Sequence, residues 1–209
     1  MKKIKDENSK QRILNAATKL FAAQGFEGTS IRQICKEADV NICMISYFWG
    51  GKQQLYNGII ENLIEKQTEY AKTFIDFDVE PSSLDKTSQI NLLMTVIDKI
   101  IEFFYSEKIS KDLLIFLLKA QHDEKLAIHS PAFTYLRKLI GAIFNKSEND
   151  RAIILKTVFI LSQINSPRIL PNFSLSLLGQ EDFVQEDIKI IKENVKFYIN
   201  ALIKEAGLV

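Results

Sequence analysis

Two short helical patterns joined by a three-residue turn constrain the fold of this chain more than any other feature. The first pattern covers residues 31–38, the turn is Asp39-Val40-Asn41, and the second pattern covers residues 42–48. Gly50 and Gly51 end the second pattern, and Lys52 opens a much longer helix. A layout of this kind needs a preceding helix to brace it, which makes it a candidate helix-turn-helix.

The preceding helix is predicted from about Asn8 or Ser9 to Gln24, with Gly25 as its stop. Thr29 or Ser30 then supplies the side-chain oxygen that caps the next helix. Apolar residues recur in the first helix at the spacing of one buried stripe, namely at Ile13, Leu14, Ala17, Leu20 and Phe21.

The rest of the chain continues as helix after helix, without strand-like alternation, so we predict an all-α protein. The four prolines fall at segment edges. Residues 76–86 are expected to form a loop, and residues 165–184, with two prolines and a glycine, are the least regular part. Helices are predicted at 52 to about 74 or 77, 87–106, 110–121, 131–145, 148–164 and 186–206.

Composition limits the possible classes of protein. Residues 1–60 hold nine basic and five acidic residues, a net charge of +4, whereas the whole chain carries +1. A basic N-terminal quarter followed by an acidic remainder suits a protein that binds DNA through its N-terminal part. No apolar run approaches the roughly 18 residues of a membrane span, and the N-terminus does not have the pattern of a secretory signal. We therefore expect a cytoplasmic protein.

The stretch from Arg12 to Tyr56 resembles the DNA-binding domain of the TetR family of bacterial regulators. Within it, residues 38–52 are similar to a subgroup written roughly A-x-V-N-x-x-x-I-S-Y-Y-F-G-x-K-E. Phe48 departs from this pattern, where Tyr is usual, and Trp49 departs from it, where Phe is usual. The residues that carry the resemblance are Ile13-Leu14, Ala16-Ala17, Leu20-Phe21, Gly25-Phe26, Thr29 to Ile34, Ala38, Val40, Ile45, Lys52 and Leu55-Tyr56.

This resemblance implies a DNA-binding domain over residues 1–52 and a helical ligand-binding and dimerisation domain over residues 53–209. It further implies a homodimeric repressor that binds double-stranded DNA at a palindromic operator. A small-molecule inducer in the C-terminal domain would release the DNA. Family precedent places dimerisation on the last two long helices, 148–164 and 186–206. No cofactor, metal or membrane is implied.

The DNA-binding residues follow from the same resemblance together with the chemistry of the groove. Thr29, Arg32 and Lys52 are predicted to contact phosphates. The residues predicted to face the groove are Asn41, Ile42, Cys43, Met44, Ser46 and Tyr47, while Ile45 should point inward. Packing within the domain is the alternative for Ile42 and an equal alternative for Met44. A plain helix cap is the alternative for Thr29, and a solvent-facing position is the alternative for Arg32 and Lys52. Trp49 is expected to pack between the second short helix and the long helix after it.

The body of the chain is rich in aromatic residues, most of which a helical bundle of this size needs for its core. A cavity for a hydrophobic or amphipathic ligand would have mainly apolar walls. Four residues are proposed to line it, Phe104, Phe116, Phe133 and Phe159, although core packing is the competing interpretation for each.

Alternatives remain open at this stage. An enzyme is not indicated, since no catalytic set with a recognisable local signature or phosphate-binding loop is present. The main alternative is a relative that has lost DNA binding and acts only as a ligand- or protein-binding module. Cys43 could be oxidised, but an inert residue is the simpler interpretation. His122 and His129 are expected to be ordinary surface or pocket-edge histidines and not metal ligands.

Overall fold

The computed structural model describes residues 2–120, 130–205 and 207, and these residues form helices and turns without a strand. The all-α prediction is thereby confirmed. Ten α-helices occur in the described ranges: α1 (Lys2–Gly28), α2 (Ile31–Ala38), α3 (Cys43–Trp49), α4 (Lys52–Ala71), α5 (Lys86–Phe104), α6 (Lys111–Ala120), α7 (Pro131–Ile143), α8 (Arg151–Ile169), α9 (Leu175–Leu178) and α10 (Gln185–Glu205).

The first helix differs from the prediction at its start and agrees with it at its end. It begins at Lys2, ahead of the predicted caps Asn8 and Ser9, because Lys and Glu in the leading residues are good helix formers. At Gly25 the backbone leaves the helix, with φ 75° and ψ 175°. The chain therefore turns after Gln24 as expected, and residues up to Gly28 form one further turn.

Helix α2 is defined by its caps. The Ser30 side chain accepts a hydrogen bond from the Gln33 amide at 3.2 Å, and the Ser30 amide donates to the Gln33 side chain at 2.7 Å. This reciprocal pair is a capping box and settles the choice between Thr29 and Ser30 in favour of Ser30. Asp39 ends the helix in the left-handed conformation, at φ 51°, which starts the short turn into α3.

Contacts divide the chain into two units. The first unit contains the chain as far as Lys66 together with the segment that begins at Ser110, and so includes α1, α2, α3, the first part of α4, and α6. Its core brings together residues from all of these helices. The largest fully buried side chains of this core are Ile13, Phe21, Ile34, Ile45, Leu55 and Phe116.

The second unit is a bundle of α5, α7, α8 and α10 around an aliphatic core. Helix α8 continues to Ile169, although Pro167 led us to predict an end near residue 164. Two contacts hold its last turns in place. The Tyr105 hydroxyl donates to the Ile164 carbonyl at 2.9 Å, and Arg168 donates to the Phe104 carbonyl. Tertiary contacts thus offset the backbone hydrogen bond that a proline inside a helix removes.

In the described ranges, no helix taken alone has the length and apolarity of a bilayer span. The bent pair Arg151–Ile169 and Pro171–Leu178, which meet at 85°, passes that test only as a pair and only by length and composition.

The close contact between Trp49 of α3 and Gly58 of α4 can be tested by its effect on stability. A methyl group built on Gly58 would lie 2.2 Å from Cζ3 of Trp49, so this position of α4 has no room for a side chain. An alanine inside a helix is ordinarily about 1 kcal/mol more favourable than glycine. We expect Gly58→Ala instead to lower the free energy of unfolding by about 1–3 kcal/mol, as overpacked cores do. Chemical denaturation followed by circular dichroism measures the change.

The control is the double variant Gly58→Ala with Trp49→Phe, in which the smaller ring makes room for the methyl group. Most of the lost stability should return in the double variant, giving a favourable coupling between the two sites. Additive losses in the two variants would contradict this account of how α3 packs on α4.

Candidate nucleic-acid interface

Helix α3 presents one face to the core and the opposite face to solvent. Ile45 is 0% exposed and lies in the core of the first unit, as predicted, whereas Tyr47 is 73% exposed. Met44 is half-buried and packs against the same core, so the structure favours the packing interpretation for this residue. The other residues predicted to face the groove are all exposed: Asn41, Ile42, Cys43, Ser46 and Tyr47.

Asn41 uses one of its polar groups to start α3. Its side-chain oxygen accepts a hydrogen bond from the Cys43 amide at 3.1 Å, which stabilises the first turn of the helix. Because that contact requires the oxygen, the side-chain NH₂ group of Asn41 stays available to donate. Such a donor suits phosphate oxygens and the acceptors on base edges.

Phe48 and Trp49 end α3 with two aromatic rings. The Phe48 ring meets the Tyr47 ring edge to face, with 4.9 Å between centroids. Trp49 packs on α4 at Gly58, as the sequence suggested, and its indole N–H is buried without an acceptor among the described residues. These rings anchor the end of α3 that leads through Gly50 into α4.

Thr29 differs from its predicted role. Its side chain is 1% exposed, and its hydroxyl donates to the Gly25 carbonyl at 2.8 Å, with the Leu20 carbonyl 3.2 Å away. Its amide donates to the Phe26 carbonyl at 3.3 Å. Both donors of Thr29 are therefore used inside the first unit, and neither is free for a phosphate. The residue braces the turn between α1 and α2.

The basic residues of the first unit fall into two groups. Arg12 pairs with Asp39 at 3.7 Å, and Lys19 pairs with Glu37 at 2.6 Å, which raises the pKa of Lys19. Arg32 is exposed and has no ion pair among the described residues. The Lys52 ammonium lies 4.2 Å from the centre of the Phe26 ring, a cation–π contact that leaves its N–H donors available.

The two cysteines lie in different surroundings. Cys35 packs in the core of the first unit, and its burial raises the pKa of the thiol. Cys43 is exposed on α3. His122 and His129 lie outside the described residues. Among the residues that are described, no group of three or more His, Cys, Asp or Glu could hold a metal ion.

The four predicted pocket residues are divided between the two units, with Phe116 in the first and the other three in the second. Phe116 is 1% exposed and packs in the first unit, with 4.9 Å between its ring centroid and that of Tyr56, so the prediction that it lines a ligand cavity is not supported. Phe104 and Phe133 are half-buried in the second unit. Phe159 is 54% exposed.

Phe159 borders an open groove of about 650 Å³ between α8 and α10. Polar side chains from both helices also line the groove, namely Ser162, Gln163, Ser166 and Asn194. Next to it, Val158 on α8 and Phe197 on α10 are 48% and 76% exposed. The second unit thus carries an apolar surface on the two helices that were predicted to form a dimer.

Helices α2 and α3, joined by a short turn, form a helix-turn-helix. Helix α3 is buried on one side against the core that it shares with α1, α2 and α4, and it is exposed on the other side. This arrangement defines a DNA-binding module in which α3 is the recognition helix.

Comparisons with known proteins agree with this class. The family model "Bacterial regulatory proteins, tetR family" matches residues 13–59, and the model of the C-terminal domain of the HTH-type transcriptional dual regulator CecR matches residues 119–205. The chain is 26% identical to the "Probable HTH-type transcriptional regulator YttP" of Bacillus subtilis (strain 168), with 94% of this chain and 95% of that protein covered. It is 24% identical to CecR of Shigella flexneri, with 96% and 94% covered.

Among solved structures, HlyIIR, a hemolysin II transcriptional regulator, shares the fold with a TM-score of 0.53 and 21% identity, covering 90% of this chain and 97% of that one. The chain belongs to the TetR family of bacterial regulatory proteins. It is a DNA-binding transcriptional regulator and not an enzyme.

Local sequence reasoning missed three residues of this interface. Phe26 supports Lys52, Gly58 makes room for Trp49, and Lys10 lies with its ammonium 5.0 Å from the centre of the Trp49 ring. Each acts through a residue at least 9 positions away in the chain. A pattern that reads only neighbouring residues has no signal for such contacts.

Proposed function

We propose that this chain is a homodimeric repressor that reads a palindromic operator with α3 and leaves it when a small molecule binds the second unit. The observation that carries the DNA-binding part is the orientation of α3. Because Ile45 is fully buried, the side chains at 43, 46 and 47 are turned away from the core, and Ile42 is exposed at the start of the helix. This exposed face is the one that an operator would meet in the major groove.

Each exposed residue has a role that fits its chemistry. Asn41 and Ser46 offer hydrogen bonds to base edges or phosphates, and Tyr47 offers both a ring and a hydroxyl. Ile42 is suited to thymine methyl groups, and Cys43 to close apolar contact with a base edge. Arg32 and Lys52 are proposed to contact phosphates, where they would set the register of α3 on the duplex. Thr29 is not among the proposed phosphate contacts, because its hydroxyl and its amide donate to backbone carbonyls of the first unit.

The dimer is proposed to form through α8 and α10. These helices expose apolar side chains that a monomer would leave in water, including Leu155 and Val158 on α8 and Phe197 on α10. Exposed apolar patches of this kind mark interfaces. A twofold axis would place the same surface of both copies in contact and would present two α3 helices to the DNA.

Release by a small molecule is proposed from the family resemblance, which implies a ligand-binding domain in the C-terminal part of the chain. Helix α4 gives a physical route for the response. Its residues up to Lys66 belong to the first unit, and Gln67 to Ala71 belong to the second. A ligand that prefers one conformation of the second unit would bias the position of this shared helix and lower operator affinity.

The direct test of DNA binding is a titration of the purified protein with its own upstream DNA and with scrambled DNA, at two salt concentrations. We expect a Kd of about 10⁻⁸ M or lower for the upstream DNA, and a preference of at least about a thousandfold over scrambled DNA. Equal, weak and steeply salt-dependent binding to both would contradict autoregulation. No binding to either at low salt would favour the ligand- or protein-binding module.

The proposed dimer surface can be tested by placing a negative charge on it. Val158→Asp and Phe197→Asp each place a carboxylate on the proposed interface, where burying it would cost several kcal/mol. We expect both variants to sediment as monomers at concentrations where the wild-type chain is a dimer, and to bind operator DNA far more weakly. Ile115→Asp is the matched control, because Ile115 is also apolar and 44% exposed but lies on α6. Dimers of unchanged stability in both test variants would refute the assignment.

The single tryptophan of the chain makes the ligand response measurable. Trp49 lies in the first unit, at the end of α3. A compound that binds the second unit and lowers operator affinity should therefore change the Trp49 emission, with the same concentration dependence for both effects. Loss of operator binding without any change in emission would show that the response does not pass through α3.

A further inference from the structure

We propose that Lys10 is a phosphate-binding residue of the DNA interface, and that the indole ring of Trp49 is the group that positions it. This inference rests on the proposed function, because it adds a contact to the same DNA-binding surface. It assigns a role to a residue of α1, outside the helix-turn-helix itself.

The first observation is the position and freedom of the Lys10 side chain. Lys10 is exposed, and its ammonium lies 5.0 Å from the centre of the Trp49 ring. Nearby cations of the same helix are neutralised, since Arg12 pairs with Asp39 and Lys19 pairs with Glu37. Lys10 has no such partner among the described residues. Its positive charge is therefore available to an external anion.

The second observation is that the Trp49 ring is a rigid support. Gly58 leaves space for the ring, and no other residue could occupy that position of α4 without displacing it. The ring also carries a cost, since its buried N–H has no acceptor among the described residues. A phenyl ring would fill apolar space without that cost. What the indole adds is the aromatic face that attracts a cation most strongly.

The third observation is where this lysine lies. Trp49 is the last residue of α3, two positions after the exposed Tyr47 and three before Lys52. Lys10 is therefore placed beside the end of the recognition helix. Lys52, at the start of α4, makes the same kind of cation–π contact, with its ammonium 4.2 Å from the centre of the Phe26 ring. An ammonium on a ring keeps its N–H donors, and less side-chain freedom is lost when it meets a phosphate.

Phosphate backbone is the ligand class that these features fit. The site holds a single ammonium without a carboxylate partner, on an exposed edge next to a helix shaped to enter the major groove. A phosphate contact of this kind strengthens binding to any duplex sequence, because it does not read bases. Its signature is a change in salt dependence, since each neutralised phosphate contributes about 0.9 to the slope of log K against log salt concentration.

The experiment measures the affinity of the full-length protein for an operator fragment and for a scrambled duplex over a series of salt concentrations. We expect Lys10→Ala to reduce the salt slope by about 0.9. We also expect it to weaken binding at low salt by about tenfold. The loss should be similar on both duplexes. Lys10→Arg should restore both quantities, because it keeps the charge and the contact with the ring.

Two further variants separate positioning from charge. Lys66→Ala is the matched control, since Lys66 is an exposed lysine of the same unit, roughly 21 Å along α4 from Lys52. It should leave the slope unchanged. Trp49→Phe should weaken binding, and its effect should shrink when Lys10 is already alanine, because the two residues act through one contact. Circular dichroism confirms that each variant is folded.

An unchanged salt slope in Lys10→Ala would overturn the proposal, whether affinity stays the same or falls equally at every salt concentration. In the second case Lys10 would support only the packing of α1 against Trp49. A wild-type protein that binds neither duplex would instead refute the proposed function, and the inference with it. The wild-type titration alone therefore distinguishes the two failures.

Discussion

The burial of Ile45 is the interaction on which the rest of the DNA-binding surface depends. This side chain is fully enclosed by the core of the first unit, and it fixes the rotation of α3 about its own axis. Once that rotation is set, Tyr47 and its exposed neighbours must point outward, because they lie on the opposite side of the same two helical turns. The identity of the outer residues can then vary with the operator while the position of the helix stays constant.

Several polar contacts around α3 serve the same purpose without touching its outer face. The capping box of Ser30 starts α2, the Asn41 oxygen starts α3, and Thr29 uses both of its donors to hold the preceding turn. Lys119 of α6 contributes near the C-terminal end of α1, where its ammonium donates to the Ala22 carbonyl at 2.5 Å. These contacts satisfy backbone groups that helix ends leave unpaired. The recognition helix is thereby presented on a preorganised support.

The polarity of the two units also follows from their packing. In the first unit, Arg12 and Lys19 form ion pairs with Asp39 and Glu37, whereas Lys10, Arg32 and Lys52 are cations without a carboxylate partner among the described residues. In the second unit, α8 and α10 expose several large apolar side chains, among them Leu155, Val158 and Phe197. One unit thus carries available positive charge, and the other exposes apolar area, as the proposed DNA contact and the proposed dimer each need. This division matches what a dimeric DNA-binding regulator requires.

The sequence was sufficient wherever a residue acts through its near neighbours. The stop at Gly25, the inward position of Ile45 and the short α2 and α3 all follow from helical periodicity and glycine chemistry. It was insufficient where distant segments meet. Pro167 suggested an early end to α8, but Tyr105 and Arg168 hold the helix beyond it.

The same limit explains the errors at the candidate sites. Phe116 has the composition of a pocket residue, and only the packing of α6 against Phe21 and Tyr56 shows that it belongs to the core. Thr29 resembles a phosphate contact in its position before α2, and only its hydrogen bonds to Gly25 and Phe26 reveal the internal role. Contacts between residues far apart in the chain leave no periodic trace in the sequence.

The central claim is that α3 reads a specific DNA sequence as part of a symmetric dimer. The most direct measurement is selection of bound duplexes from a random pool by the full-length protein, followed by sequencing. The account predicts enrichment of one palindrome, with half-site centres separated by about one helical turn, roughly 34 Å, or slightly more. A pool that stays unenriched after repeated rounds, at a salt concentration where the protein still binds DNA, would contradict it.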